Sequence, residues 1–209
     1  MPLGDSITYG AGSSDSAGYR SRLFHLSLVN YKSLTFVGGK HDGPATVDGV
    51  PFPIDHEGFS GYEIAGIAGF AAEQVGYYKP QILLLMIGMN DMAYGDAVTD
   101  APTRLGSLLD LIIATVPNSL IVVSTVTPAI DTVVYDRIRA FNAAIPAVVA
   151  SRAAAGAHIT TVDMFAALAA DPKFATTELT DNLHPNDAGY NVIAQTWYDK
   201  VGPLLPPLK

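Results

Sequence analysis

Ser6 sits in Gly4-Asp5-Ser6, directly after a short apolar lead-in, and Asp181-Asn182-Leu183-His184 lies near the other end of the chain. A serine hydroxyl becomes a nucleophile when a histidine takes its proton and a third group fixes the histidine's tautomer. Asp181 and His184 are three residues apart, close enough for a loop to bring their side chains together. Pro185 disfavours helix at His184 and keeps it extended, and Asn186 is a natural cap for a following helix. Each block also has a plainer reading. Gly, Asp and Ser dominate turns in general, and Asp181, Asn182 and Asn186 are common at helix starts. The Gly-x-Ser-x-Gly elbow is absent, since the residues are Gly4-Asp5-Ser6-Ile7-Thr8.

Two further turns supply hydrogen-bond donors. Gly88-Met89-Asn90-Asp91 follows an apolar run, so the Asn90 amide can be aimed at an oxyanion on the sheet edge that carries Ser6. Gly58-Phe59-Ser60-Gly61 leads into a helical pattern, which would leave the Gly61 N–H as a free donor at a helix N-terminus. With the Ser6 N–H, that makes three donors, although Gly61 and Asn90-Asp91 each also fit ordinary turn and capping chemistry. Of the other histidines, His25 falls in a helical pattern and His158 at a strand start, where they read as structural or solvated, and His41 lies in a Gly-rich loop without a patterned carboxylate. His56 is the rival base, because Asp55 and Glu57 flank it, although adjacent residues point apart and orient each other poorly. Asp5 and Asp91 read as loop supports, and Arg20 and Arg22 as paired or solvent-facing.

These blocks must be positioned by a scaffold, and the rest of the chain describes one. Near-continuous apolar runs at Met1–Leu3, Leu34–Val37, Ile82–Ile87, Leu120–Thr125 and Ile159–Val162 predict strands buried on both faces of a parallel sheet. Helical patterns alternate with them at Tyr19–Tyr31, Tyr62–Tyr77, Thr103–Thr115, Val134–Ala154 and Asn186–Lys200. Pro146 predicts a kink or break in the fourth helix. Alternation of this kind gives an α/β three-layer sandwich with right-handed crossovers. His41–Glu57, rich in Gly, Pro and Asp, is the longest irregular stretch, and such loops usually serve function.

Composition narrows the function classes. A chain of 209 residues, 49% apolar and 15% charged, is expected to form one domain over residues 1–209. A net charge of −8 argues against nucleic acid and against an anionic membrane surface as partners. With no cysteine there is no disulfide, thiolate metal site or cysteine nucleophile. The apolar run Gln81–Ile87 is far too short to cross a membrane, and no signal peptide precedes the Ser6 block. Asp42, Asp48 and Asp55 share the long loop without a metal-ligand spacing, so no metal is expected there, and a serine nucleophile with a histidine base implies no cofactor.

Taken together, Gly4-Asp5-Ser6, Gly61, Gly88-x-Asn90-Asp91 and Asp181-x-x-His184 resemble the blocks of the SGNH (GDS(L)-type) hydrolases, over essentially the whole chain. The resemblance implies a flavodoxin-like fold with a five-stranded parallel sheet. It implies Ser6 as nucleophile, His184 as base, Asp181 as its orienter, and Ser6, Gly61 and Asn90 as the oxyanion hole. Within that group, Ser13–Arg20, Phe36-Val37-Gly38 and Asp55–Tyr62 look like the family-three carbohydrate esterases, which implies an acetyl xylan esterase. Met89 departs from the small polar residue common at its position. The implied function is removal of acetyl groups from a polysaccharide such as acetylated xylan, by a monomer located outside the cell. A lipolytic esterase or thioesterase for longer acyl chains is the alternative, and a non-catalytic carbohydrate-binding domain is a third reading.

Overall fold

The computed structural model describes residues 1–95, 98–170 and 174–208. In chain order it contains β1 (Pro2–Gly4), α1 (Ser6–Tyr9), α2 (Tyr19–Val29), β2 (Lys40–His41), β3 (Thr46–Val47), β4 (Val50–Pro51), β5 (Asp55–Gly58), α3 (Ile64–Ala68) and α4 (Ala71–Tyr78). There follow β6 (Ile82–Met86), α5 (Met89–Tyr94), α6 (Ala101–Thr115), β7 (Leu120–Ser124), α7 (Thr132–Ala154), β8 (Ile159–Val162), α8 (Met164–Ala169), α9 (Phe174–Thr177) and α10 (Asp187–Val201). The main sheet runs β2-β5-β1-β6-β7-β8. Five of these strands are parallel, and the two-residue β2 is an antiparallel edge on β5.

Numbered by their order in the chain, the five parallel strands lie 2-1-3-4-5, the flavodoxin-like arrangement. The direction of winding reverses at β1, between β5 and β6. In such sheets ligands bind beyond the carboxyl ends of the strands at that reversal. β1, β6 and β7 are almost wholly buried because helices cover both faces. One layer is α2, α8 and α10 and the other is α3, α4, α6 and α7. Leu3, Leu85 and Val122 meet Leu23, Ile193 and Trp197 from the first layer and Leu105, Ile112 and Phe141 from the second in one continuous core.

The element boundaries correct several expectations. Leu34–Val37 forms no strand; Phe36 is buried and packs edge-on against Phe52 at 6.1 Å without joining a ladder. The fifth parallel strand is instead β5, which starts within the stretch read as irregular, and β3 and β4 form a small hairpin there. β5 escaped a search for apolar runs because its buried residues are His56, Glu57 and Gly58. Their polar atoms are met locally. The Gly58 N–H donates to His56 Nδ1 at 3.0 Å, His56 Nε2–H donates to Asp42 at 3.2 Å, and Glu57 accepts the Gly39 N–H.

The helix read at Tyr62–Tyr77 is two pieces, α3 and α4. Gly66 and Gly69 weaken it, and Phe70, at φ −135°, leaves helical space to pack on Phe59 at 4.6 Å. Conversely, α7 runs unbroken through Pro146. That residue is exposed, where solvent can take up the carbonyl it leaves unbonded, while Ile138, Phe141, Ile145 and Val149 carry the buried stripe past it.

Arg20 neither pairs nor faces solvent. It is fully buried, and its guanidinium donates to the carbonyls of Tyr9, Ser16, Asp42 and Ile54 at 2.9–3.2 Å. It thereby ties the loop after α1 to the segment around β3 and β4. Burial pulls it down to about 10.

Burial, helped by the nearby Arg20 charge, lowers His56 from 6.5 to about 4. Between those values the unfolded chain binds the proton and the folded chain does not, so stability rises with pH across that window. His56→Asn keeps an acceptor for the Gly58 N–H and removes the titrating ring. Urea midpoints at about pH 7.5 and about pH 5 are expected to differ less in this variant than in the parent. An equal loss in both would show that His56 does not carry that acid sensitivity.

Candidate active site

Ser6 is placed by the end of β1. Gly4 leaves no room for a side chain, since a Cβ would collide with the Met86 carbonyl and lie 2.6 Å from Thr8 Oγ1. This lets β1 and β6 approach, and the Phe59 N–H closes the other side on the Gly4 carbonyl at 2.9 Å. Asp5 then caps α1, accepting the Ile7 N–H at 3.0 Å. Ser6 is the first residue of that one-turn helix, so its own N–H has no intrahelical acceptor. It is only 5% exposed, more enclosed than a serine on an open loop would be. Asp5 is buried beneath it, and that burial raises its carboxyl to about 7 against the opposing N–H bonds from Ile7 and Met89.

The other half of the site comes from the segment before α10. Asp181 Oδ1 accepts the Leu183 and His184 N–H groups at 2.8 and 2.7 Å, which folds the loop back on itself. Its Oδ2 accepts from His184 Nδ1 at 2.7 Å. With Nδ1 as donor, His184 Nε2 is the acceptor nitrogen, and it lies 2.9 Å from Ser6 Oγ. Burial acts to raise the Asp181 carboxyl, but the His184 ring and the two loop N–H groups outweigh it and hold it below the usual carboxylate value.

Several contacts keep this loop against the serine. Asn186 caps α10 through Ala188 and Gly189 and donates to the Thr177 carbonyl at 2.7 Å. Thr180 takes the His184 carbonyl through its N–H at 2.8 Å and donates its hydroxyl to the Gly12 carbonyl at 3.1 Å. The Ser14 N–H donates to Asp187 at 2.8 Å. Gly12, at φ 91°, permits the approach, because a Cβ there would lie 2.5 Å from the Pro185 carbonyl.

Ser6 and His184 open into a cleft of about 270 Å³ lined also by Ala11, Ser60, Gly61, Met89, Asn90, Tyr94 and Leu183. The carboxyl ends of β5, β1 and β6 thus contribute Gly61, Ser6 and Asn90 respectively. Asn90 is buried in α5, and one Nδ2 hydrogen goes to the Tyr62 carbonyl at 2.9 Å, leaving a second. Gly61 does not stand at the first turn of a helix; α3 begins at Ile64, and Gly61 sits in the preceding turn at φ 80°.

His56 is not among the residues lining the cleft, and both its ring nitrogens are engaged elsewhere. His25 and His41 pair with Asp48 and Asp55. Ala11, Ser60, Tyr94 and Leu183 line the cleft without having been singled out in the sequence, and only their adjacency to the chemical blocks could have flagged them. Among the described residues, no group of three or more His, Cys, Asp or Glu side chains is arranged to hold a metal. No helix among them is long and apolar enough to cross a membrane.

A hydroxyl bonded to an imidazole acceptor, with a carboxylate on the far nitrogen, can deliver an oxygen nucleophile to a carbonyl. The comparisons agree with that chemistry. The model of the GDSL-like lipase/acylhydrolase family matches residues 3–192. A multidomain esterase of Ruminococcus flavefaciens is 28% identical over 96% of this chain, which spans only 28% of that protein's length. A family 3 carbohydrate esterase of Clostridium thermocellum is 31% identical with a TM-score of 0.83, covering 99% of this chain and 98% of its own. A family 3 carbohydrate esterase of Talaromyces cellulolyticus is 28% identical with a TM-score of 0.81, covering 98% and 96%.

Proposed function

The chain belongs to the GDSL-like lipase/acylhydrolase family and is an esterase of the SGNH type, and from that premise we propose that it removes acetyl groups from an esterified polysaccharide such as acetylated xylan. The observation that carries the reading is the relay Ser6 Oγ to His184 Nε2 at 2.9 Å and His184 Nδ1 to Asp181 Oδ2 at 2.7 Å. Ser6 Oγ attacks the ester carbonyl carbon as His184 Nε2 takes its proton. Asp181 holds the Nδ1–H and stabilises the imidazolium. The oxyanion is received by the Ser6 and Gly61 N–H groups and the free Asn90 amide hydrogen. Collapse breaks the bond to the sugar oxygen, which leaves with the proton from His184. Water then attacks the acetyl-Ser6 ester, losing its proton to His184, and acetate departs as Ser6 is reprotonated. A polymeric substrate of this kind goes with an enzyme working outside the cell.

The acetyl preference is supported by the resemblance to family 3 carbohydrate esterases and by the small cleft, lined in part by Ala11, Ser60 and Gly61. Met89 and Leu183 are the observation in favour of a longer acyl group, since they offer apolar surface beside Ser6. Each methylene gains about 0.8 kcal/mol only when it is fully buried, and these two side chains do not make a channel.

If triad members act as one unit, Ser6→Ala and His184→Ala each lower turnover by about 10⁴-fold or more, and the double variant is little worse than either. His56→Ala should do far less damage to turnover. The reverse order, or additive losses in the double variant, would overturn the assignment. For substrate, kcat/KM across a series of acyl esters, with acetylated xylan alongside, is expected to be highest for acetyl and to fall steeply by butyryl. A rate still climbing at hexanoyl would reject the deacetylase reading for the lipolytic one and leave the Ser6 assignment standing.

A further inference from the structure

We infer that Asp91, which is not among the residues lining the cleft, is a positioning residue for the oxyanion site, holding the segment that carries Gly61 at a fixed distance from Asn90. This rests on the reading of Gly61 and Asn90 as oxyanion donors. Asn90 and Asp91 are consecutive in α5, and both reach the segment that follows Gly61. Asn90 Nδ2 donates to the Tyr62 carbonyl at 2.9 Å, and Asp91 Oδ2 accepts the Ile64 N–H at 3.0 Å. Two adjacent side chains therefore hold residues 62 and 64.

Gly61 needs such a hold. Its φ is 80°, and a Cβ built on it would meet nothing within 4 Å, so no neighbour packs against that side of its α-carbon. The Tyr62 N–H bond to the Phe59 carbonyl is a long 3.2 Å. Asp91 is a strong anchor by comparison. It is fully buried, and its other oxygen, Oδ1, accepts Arg104 Nη2 at 2.8 Å. Arg104, on α6, also donates to Asp100 at 2.9 Å. It supplies the opposite charge that a buried carboxylate requires, and a charged acceptor binds an N–H more strongly than a neutral one. The chain of contacts is thus α6 to Asp91 to Ile64, and from there to Gly61. Oxyanion donors act by being preorganised, so an anchor that sets their spacing affects the transition state more than bound substrate.

Asp91→Asn is the same size but cannot accept from both Ile64 and Arg104. Turnover per active site, with sites counted by organophosphonate labelling of Ser6, is expected to fall roughly 10- to 100-fold. KM should stay within about twofold. A boronic acid that forms a tetrahedral adduct on Ser6 should weaken by the same factor as kcat/KM, while inhibition by acetate stays unchanged. Arg104→Lys, which keeps the charge but not the fork, should fall between variant and parent. In an Asn90→Ala background the Asp91→Asn loss should shrink, because one of the two donors it spaces is gone. A purely structural role predicts fewer labelled sites or a lower melting temperature, with normal turnover per labelled site, and that result would overturn the inference. If Asp91→Asn does not fold, an Arg104→Lys protein with parental kcat and boronate affinity would overturn it equally. Labelling of the parent at a residue other than Ser6 would instead sink the functional reading, and this inference with it.

Discussion

The bond between Ser6 Oγ and His184 Nε2 joins residues 178 positions apart in sequence. Neither partner is held by its own neighbourhood alone, so the whole α/β scaffold must fix a distance good to a few tenths of an ångström. The reversal of winding at β1 does half of this work. It brings the carboxyl ends of β5, β1 and β6 side by side, so Gly61, Ser6 and Asn90 arrive in one cleft from three separate parts of the chain. The second half is done by α10, which packs on α2 and is capped by Asn186, two residues after His184.

That geometry puts polar groups where water cannot reach, and each must find a partner inside the protein. Arg20 is anchored on four carbonyls, His56 on Gly58 and Asp42, Asp91 on Ile64 and Arg104. Asp5, whose burial moves its carboxyl toward neutrality, sits between the N–H groups of Ile7 and Met89. Asp5 and Asp91 bond to the segments next to Ser6 and Gly61, and Arg20 and His56 tie in the segment between β2 and β5. Glycines stand where backbones must touch, among them Gly4 beside Met86 and Gly12 beside Pro185.

What the sequence disclosed follows from the same division. The chemical blocks were legible because each combines reactive side chains with strand-end or helix-start residues, and Ser6, His184 and Asp181 come together as their order suggested. The central strands were legible because burial on both faces leaves them wholly apolar. β5 was not, because its buried side chains are His56 and Glu57, whose cost is met by contacts with Asp42 and Gly39 that no local pattern reveals. Leu34–Val37 misled for the converse reason: its residues meet the core from a loop. The role of Arg20 was hidden because a buried guanidinium bound only to carbonyls has no partner residue type to search for. The second contact of Asn90, to the Tyr62 carbonyl, was equally invisible.

The central claim is that an ester is cleaved through a covalent acyl group on Ser6. Rapid quenching of the enzyme with an activated acetyl ester, followed by mass spectrometry of its peptides, tests that claim most directly. The account predicts a burst of released alcohol equal to the number of active sites, with acetyl found on the peptide carrying Ser6 and on that serine. Acetyl on another residue, or sustained turnover by the parent enzyme with no burst and no acetyl ever trapped on Ser6, would contradict it.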